Sequence, residues 1–526
     1  MASRGAAAGG SGRSARFHGR FRAGHVKRPA MNSLMSRFTR LLMLALVLAT
    51  TAWQPAVAQD DDDSGPSALR DTETELLFSD IARPLAKAGG LDPNSVRVVL
   101  LNDPEINAFV ATGQTVYVQS GLIQAAANVN QLQGVIAHEL GHVSGGDAIR
   151  SASGAKEATG ITIATMVLGA LAVAAGAGGD AAMGIMAAGQ QAATGKFLAF
   201  SRATESSADQ FAVRALGGAG VSGKGFLDFF KTLQNQEYRL AIYATDSYGR
   251  THPLSSERVQ ALEQALKKDP AWSKPTDPQL EARFERVKAK LIGFIDPKHA
   301  VQKYPESDQS VPAHYARAYA YHLGGYPDKA ESEADALLAT NPHDPFFLEL
   351  KGQILLEGGK PKDAIEPLRE ATQRSGNMPL IAAMLGHALV ATEDPKNFAE
   401  AKQVLKAAVN RDNENPFAWY QLGIIYDREG DQARASLASA ERFSLEGNPR
   451  QAMQSARTAI AGIKPGTPDC LRAQDIVMAA RGELANKKSK KSDDDDRQQG
   501  GVFGVKSSGG RGADKFSQGD LVCRGA

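Results

Sequence analysis

Apolar positions in the first third of the chain predict a small mixed arrangement of helices and strands. Apolar side chains recur at helical spacing between residues 72 and 88, which predicts a helix there. These side chains are Leu76, Leu77, Ile81 and Leu85. The apolar run 95–101 predicts a buried strand, and residues 107–118 predict a hairpin that turns at Gly113-Gln114.

A longer apolar stretch, residues 158–188, is rich in alanine and glycine. Its length would allow a membrane-spanning helix. The small residues make it weakly hydrophobic, however, and Asp180 interrupts it. We therefore expect a helical hairpin that covers a functional site or rests on a membrane surface, and a spanning segment is the remaining alternative.

Residues 312–480 repeat with a period of thirty-four residues, from Ala330 to Ala364 and, after a short insertion, from Ala401 to Ala435. The repeat around Ala435 has the clearest signature, which consists of Trp419, Leu422, Gly423, Tyr426 and Gly430. This pattern resembles tetratricopeptide repeats, in which small residues let paired antiparallel helices pack and neighbouring pairs bury a shared core. It predicts an α-solenoid of about four or five repeats, against the alternative of a generic alanine-rich helical domain.

Both ends of the chain lie outside the predicted domains. Arg37 and Arg40 precede a leucine-rich core, and Ala56-Val57-Ala58 is a small-x-small cleavage site, so residues 1–58 are predicted to be a signal peptide cleaved after Ala58. An acidic linker is expected over 59–70, and the charged, glycine-rich tail 486–526 is expected to be disordered.

Length and charge narrow the class of protein. The chain has 526 residues, which predicts two or three domains. The predicted signal peptide holds nine Lys and Arg residues and no acidic ones, so its removal would change the net charge from +2 to −7. A mildly acidic chain makes nucleic acid a poor partner. Export would permit a disulfide between Cys470 and Cys523, but two free thiols are an equal alternative.

The strongest chemical signal is the pentapeptide His138-Glu139-Leu140-Gly141-His142, on a helix predicted from about Asn130. Histidines four residues apart share one helix face, so both imidazoles can bind one Zn²⁺ ion per chain, and Glu139 can reach a water at the open metal position. The alternative is a surface helix with solvated histidines. The surrounding apolar residues argue for a buried helix, whose polar groups need a partner such as a metal.

A catalytic zinc normally has three protein ligands, and Glu205 is the candidate for the third. Asp209 lies four residues further on the same predicted helix face, where it could accept the N–H of a ligating imidazole. The alternative is a solvated acidic face in which Glu205 pairs with Arg202.

Four motifs together resemble one family. They are HELGH, Glu205 to Asp209, Thr251-His252-Pro253 and Asn107-Ala108-Phe109. The chain is similar to the zinc metallopeptidases of the CAAX prenyl endopeptidase and HtpX type, over roughly residues 70–480, and most of all to their periplasmic, repeat-bearing branch, the beta-barrel assembly-enhancing proteases. The resemblance implies zinc on His138, His142 and Glu205, and Glu139 as the general base. The transmembrane helices of the integral-membrane relatives are missing, which argues against prenyl-protein processing.

Two features of the predicted site stay open at this point. His252 could donate to the oxyanion, could act as a fourth ligand that holds the enzyme inactive, as related periplasmic members suggest, or could be a turn histidine fixed by Pro253. Asn107, Ala108 and Phe109 could offer an edge strand to an extended substrate, or could belong to an ordinary core hairpin.

The sequence therefore predicts a mainly α protein. A gluzincin metallopeptidase domain with a small β-sheet, residues 71–300, precedes the α-solenoid, residues 312–480. The expected function is zinc-dependent cleavage of proteins in the bacterial periplasm for envelope quality control, with the repeats binding clients or the outer-membrane protein assembly machinery. The alternatives are a chaperone or assembly scaffold that acts mainly by binding, and a membrane-embedded peptidase.

Overall fold

The computed structural model describes most of the chain between residues 67 and 499. The exceptions are 112, 148–149, 151–158, 160, 169–178 and 241–250, and residue 523 is also described. The predicted signal peptide, most of the acidic linker and most of the tail lie outside the described residues, as does the centre of the apolar stretch 158–188.

The sheet has four strands in the order β1-β2-β4-β3. They span Ala68–Leu69 (β1), Arg97–Leu101 (β2), Ala108–Val110 (β3) and Thr115–Gln119 (β4). The predicted hairpin is confirmed, because β3 and β4 pair antiparallel with Phe109 opposite Tyr117. β2 and β4 run parallel, and β3 lies at one edge of the sheet.

The first strand corrects the predicted linker. Ala68 and Leu69 pair with Leu101 and Leu100 of β2, and the Asn102 amide donates to the Ser67 carbonyl at 2.8 Å. The prediction treated residues 59–70 as linker because two residues are too few for a detectable strand pattern. Pairing with an existing edge supplies their backbone hydrogen bonds.

Helices surround the sheet and form the catalytic region. They span Thr72–Ala88 (α1), Ser120–Ala125 (α2), Val129–Gly145 (α3), Gly179–Ala219 (α4), Lys224–Leu240 (α5), Ser256–Lys268 (α6), Pro278–Ile295 (α7) and Pro297–Lys303 (α8). α1 has the predicted bounds, and the Asp71 side chain caps it by accepting from the Thr74 amide. Among the described residues, no helix is both long and apolar enough to cross a membrane.

The core of this region lies between the sheet and helices α1, α3, α4 and α5. Leu77 of α1, Val116 of β4, Ile136 of α3 and Phe226 of α5 are fully buried within it. α3 contacts β3, β4, α4 and α5 and is therefore the central element. Water is excluded around the polar residues of a central, buried helix. Such a helix is therefore suited to bear the ligands of a metal site.

The repeat region consists of antiparallel helix pairs. They are Val311–Leu323 (α9) with Pro327–Thr340 (α10), Pro345–Glu357 (α11) with Pro361–Arg374 (α12), Pro379–Ala391 (α13) with Pro395–Arg411 (α14), Pro416–Arg428 (α15) with Gln432–Leu445 (α16), and Pro449–Gly462 (α17) with Pro468–Gln499 (α18). Proline opens most of these helices, where its missing N–H costs nothing. The predicted fold class, a mainly α peptidase followed by an α-solenoid, is confirmed.

Small residues allow the paired helices to approach closely. A Cβ atom at Gly352 would come within 2.4 Å of Leu368, and one at Gly386 would come within 2.5 Å of Leu405. Ala330 and Ala364 of the repeat pattern are fully buried. The period read from the sequence therefore marks the closest contacts between helices.

The last helix continues further than predicted. α18 extends to Gln499, whereas disorder was expected from residue 486. The lysine run at 487–491 favours helix, and extension of an existing helix avoids the cost of nucleation. The structure also pairs Cys470 with Cys523, which decides the question that the sequence left open.

Buried charges join the repeat region to the catalytic region. Arg286 of α7 contacts Glu73 of α1 at 2.8 Å and Asp344, the cap of α11, at 2.9 Å. The Tyr315 hydroxyl of α9 donates to Glu73 at 2.8 Å, and Lys290 of α7 pairs with Asp71. The repeats are thus held to the catalytic region by an ion network and not only by a linker.

Candidate active site

Helix α3 carries the HELGH motif at the centre of the catalytic region. Asn128 caps the helix by accepting from the Gln131 amide. His138 and Glu139 are completely buried, and His142 is 6% exposed. Sequence reasoning expected a buried helix on account of its apolar neighbours, and this expectation is confirmed.

Helix α4 crosses α3 at Gly141, the fourth residue of the motif. A Cβ atom at this position would lie 2.6 Å from the Ala208 Cα atom and 2.8 Å from its carbonyl oxygen. Only glycine allows the two backbones to come so close. This contact brings Glu205, three residues before Ala208, to the two histidines.

Three predicted ligand side chains meet at one point. The His138 and His142 Nε2 atoms are 3.1 Å apart. The Glu205 carboxylate oxygens lie 3.3 Å from His138 Nε2 and 3.5 Å from His142 Nε2. Ligands bound to one tetrahedral metal at zinc distances are about 3.3 Å apart, so these separations fit a single ion.

Asp209 lies beside His138. Its carboxylate is 3.1 Å from His138 Nδ1, and it accepts two hydrogen bonds from Arg258. Burial would raise the pKa of Asp209, but the hydrogen bonds from Arg258 and His138 lower it. Burial would lower the pKa of His138, but Asp209 and Glu205 raise it to about 9. Binding of a metal at His138 would therefore displace a proton.

Arg258, on α6, is a site residue that sequence reasoning missed. Its Nη1 atom lies 2.8 Å from a Glu205 oxygen, and its guanidinium stacks over Phe230 at 5.0 Å. It therefore orients Glu205 and Asp209 together. Its position six residues after His252 was the available signal, but a lone arginine at a helix start does not indicate which carboxylates it will meet.

Asp147 was also missed. Its Oδ2 atom lies 2.9 Å from His142 Nδ1. Asp147 therefore orients the imidazole of His142, as Asp209 orients that of His138. Gly146 ends α3 in the left-handed conformation, with φ at 64°, and turns the chain back. A Cβ atom at Gly145 would come within 2.8 Å of the Asp147 carboxylate. The Gly-Gly-Asp sequence, which begins three residues after His142, was the signal that could have found it.

His252 lies inside the cluster and not in a remote turn. Its Nδ1 atom is 3.1 Å from a Glu205 oxygen, and its Nε2 atom is 3.2 Å from the Ala108 carbonyl of β3. The Thr251 hydroxyl donates to Asn107 at 3.2 Å. One ligand atom from each of His138, His142, Glu205 and His252 lies within 4.8 Å of the others.

The Glu139 carboxylate gives a further test of fit to a metal site. Both of its oxygens are buried and accept no hydrogen bond within the described part of the chain. The His252 Nε2 atom lies 3.6 Å from one of the Glu139 oxygens. A buried carboxylate without a donor is costly, so Glu139 fits a site that is completed by further polar groups when it is loaded with a metal.

A buried HExxH helix that faces a glutamate from a second helix defines a metallopeptidase. Comparison with known proteins agrees, because residues 70–266 match the model of Peptidase family M48. This segment is similar to the family M48 domain, and the resemblance found in the sequence is confirmed. The protein is a metalloendopeptidase, and its substrates are proteins.

Curated relatives extend the similarity beyond the catalytic region. The beta-barrel assembly-enhancing protease of Escherichia coli (strain K12) is 24% identical over 380 residues, which cover 70% of this chain and 75% of the relative. The protein of the same name in Yersinia pestis is 25% identical over 388 residues, which cover 71% and 77%. The metalloprotease YcaL of Escherichia coli (strain K12) is 29% identical over 201 residues, which cover 38% and 73%.

Proposed function

We propose that this protein is a zinc endopeptidase of the bacterial periplasm that acts in quality control of outer-membrane proteins. The observation that carries the proposal is the extent of the similarity. It covers about 70% of the chain, including repeats, and the relatives concerned are named for enhancing β-barrel assembly. The predicted signal peptide supports export, although it lies outside the described residues.

We assign the metal to His138, His142 and Glu205, and we assign zinc because two imidazoles and one carboxylate are a common catalytic zinc set. When bound, zinc polarises the scissile carbonyl and lowers the pKa of water toward neutrality. Asp209 and Asp147 hold the two imidazoles by their Nδ1 atoms. The ligand atoms therefore keep one orientation.

Glu139 is proposed as the general base and acid. Its carboxylate is buried, and it lies on α3 beside the ligand His138. It would take a proton from the attacking water and pass it to the leaving amine of the cleaved peptide. The absence of a hydrogen-bond donor to this carboxylate among the described residues leaves it free to accept that proton.

Strand β3 is proposed to bind the substrate as an added strand. It lies at the sheet edge, beside the cluster, and its Ala108 carbonyl is within 3.2 Å of His252 Nε2. An extended peptide would pair with this edge through its backbone. His252 and the substrate would then compete for the Ala108 carbonyl, which favours the interpretation that His252 holds the enzyme inactive.

The proposal is tested by metal content and cleavage of casein with the purified chain 59–526. We expect one zinc per chain and chelator-sensitive cleavage. A His138→Ala variant should lose both, whereas exposed His343, in the repeat region, can be replaced with alanine as the matched control without loss. A purified chain that binds no zinc and cleaves no protein would overturn the proposal.

We expect a His252→Ala variant to cleave casein faster than the unchanged protein, by about fivefold or more. The substitution removes the hydrogen bonds from His252 to Glu205 and to the Ala108 carbonyl, which hold His252 in the site. Each of them contributes about 0.5–1.5 kcal/mol. The measurement is the initial rate under saturating zinc. A decrease of about a hundredfold would instead show that His252 stabilises the oxyanion, and it would contradict the inhibitory role.

A further inference from the structure

The peptidase chemistry makes no use of the apolar stretch near the site. Residues 161–168 are helical, and they lie against the first part of α4. A Cβ atom at Gly189 would come within 2.1 Å of the Thr165 hydroxyl, so the two helical segments touch at this point. We call residues 161–168 and 183–195 together the apolar hairpin.

The apolar hairpin exposes hydrophobic side chains over a wide arc. Met166, Val167 and Leu168 are consecutive, and each is more than half exposed. Consecutive helical residues point about 100° apart, so these three side chains cover more than half of the circumference. On α4, Met183 is 64% exposed, and Met186, three residues further on the same face, is 40% exposed.

This arrangement differs from that of an ordinary surface helix, which has one apolar face and one charged face. The sequence between Glu157 and Lys196 contains a single charged residue, Asp180. A helix that is apolar all round is normally buried on all sides. A folded protein partner, or a second copy of this chain, would cover one face of the hairpin and leave the other in water, whereas lipid would enclose it.

We propose that the apolar hairpin inserts into the surface of a lipid bilayer. On α4 the apolar residues end at Gln190 and Gln191, both exposed, so the inserted part ends there. Interfacial helices bury their apolar side chains about 5–10 Å into the headgroup and acyl boundary.

Basic residues follow the apolar part of α4. Lys196 lies six residues and Arg202 twelve residues beyond Gln190, and both are exposed. Such residues attract anionic headgroups. The partner is therefore a bilayer that contains anionic lipid.

Insertion of the apolar hairpin would fix the distance of the active site from the membrane surface. Glu205 lies on α4 fifteen residues beyond Gln190, which is about 22 Å along a continuous helix. The metal cluster would therefore face proteins that have just reached, or failed to enter, the membrane. The inference is independent of the proposed chemistry, because a catalytically inactive Glu139→Gln protein should bind lipid equally well.

The test is flotation of the zinc-loaded chain 59–526 with vesicles of phosphatidylethanolamine and phosphatidylglycerol. We expect the unchanged protein to float, and to float less with phosphatidylcholine alone. A Met166→Gln/Met183→Gln variant should lose binding by more than about tenfold, since each methionine contributes about 1.5–3 kcal/mol when buried. A Leu323→Gln/Leu471→Gln variant is the control, because both residues are exposed leucines of the repeat region.

Circular dichroism and zinc content must be unchanged in both variants, so that loss of binding is not loss of folding. The inference is overturned if the unchanged protein remains unbound, or if the control variant loses binding to the same extent. It is also overturned if light scattering shows a dimer that the hairpin substitutions dissociate, since a second copy would then cover the hairpin.

Discussion

Replacement of Glu139 with glutamine is expected to lower kcat for casein cleavage by about 10²–10⁴-fold and to leave the zinc content unchanged. The carboxylate is fully buried and accepts no hydrogen bond from the described residues, so its replacement breaks no hydrogen bond among them. The amide is close to the carboxylate in size but cannot accept a proton. The loss should therefore fall on the chemical step and not on folding.

The measurement is kcat and KM for casein, together with zinc analysis. Asp228→Asn is the matched control, because Asp228 is exposed on α5 and should tolerate the same change of charge to amide. If Glu139→Gln retains more than about a tenth of the activity, Glu139 is not the base. If it loses its zinc as well, the loss of cleavage says nothing specific about proton transfer.

The same variant separates the two functions that the chain could serve. The repeat region exposes aromatic side chains, including Tyr326 and Tyr420, which suit it to bind protein segments. If the zinc-loaded Glu139→Gln protein restores envelope integrity to a strain that lacks the enzyme, binding by the repeats is the main function. If it does not, cleavage is required.

Local patterns predicted the parts of the site that depend on one or two elements. HELGH lies on a single helix, so its spacing alone placed both histidines on one face. The hairpin 107–118 depends on a turn and on two short strands, and it was recognised from Gly113 and Gln114. Glu205 was a candidate because a catalytic zinc needs a third protein ligand, and the resemblance to a known family favoured it over a solvated acidic face.

Contacts created by tertiary packing were not predictable in the same way. Arg258 meets Glu205 and Asp209 across forty-nine residues or more, and nothing in its neighbourhood in the sequence identifies these partners. Asp147 depends on a left-handed turn at Gly146, which decides whether the carboxylate returns to His142 or points into water.

The ion network at the junction of the two regions is the clearest example of contacts that the sequence does not predict. Lys290 and Asp71 are 219 residues apart. In the sequence, each is an ordinary charge near an amphipathic helix, and charges of this kind are usually solvated. The burial of Lys290 depends on how α7 packs in the folded protein, so neither the pairing nor its energetic importance could be predicted from the sequence.

Replacement of Lys290 with methionine is expected to destabilise the protein by about 3–5 kcal/mol. Burial would lower the pKa of Lys290, but the charge of Asp71 and its other neighbours raise it, so the ammonium is charged. Without it, Asp71 loses its cation. Glu73, whose carboxylate lies 3.6 Å from the Lys290 Nζ atom, keeps Arg286 and Tyr315 as its partners among the described residues. The loss of stability is large because a buried charge without a partner destabilises the fold more than an uncharged side chain at the same position.

The measurement is the free energy of unfolding in urea, with limited proteolysis between the regions. Lys329→Met is the control, because Lys329 pairs with Glu306 at the surface and should contribute no more than about 1 kcal/mol. Equal effects of the two substitutions would contradict the role of the buried network.

The pH dependence of the free energy of unfolding provides an independent test of the role of Lys290. Burial would raise the pKa of Asp71, but Lys290 lowers it below the ordinary 3.8, so this carboxylate stabilises the fold above that value and stops doing so as the pH falls through its folded pKa. Loss of Lys290 removes this contribution, and a protonated Asp71 needs no cation. The difference in stability between the unchanged protein and Lys290→Met should therefore be largest near neutral pH and shrink on acidification. A constant difference would mean that Lys290 acts through packing of its aliphatic stem and not through its charge.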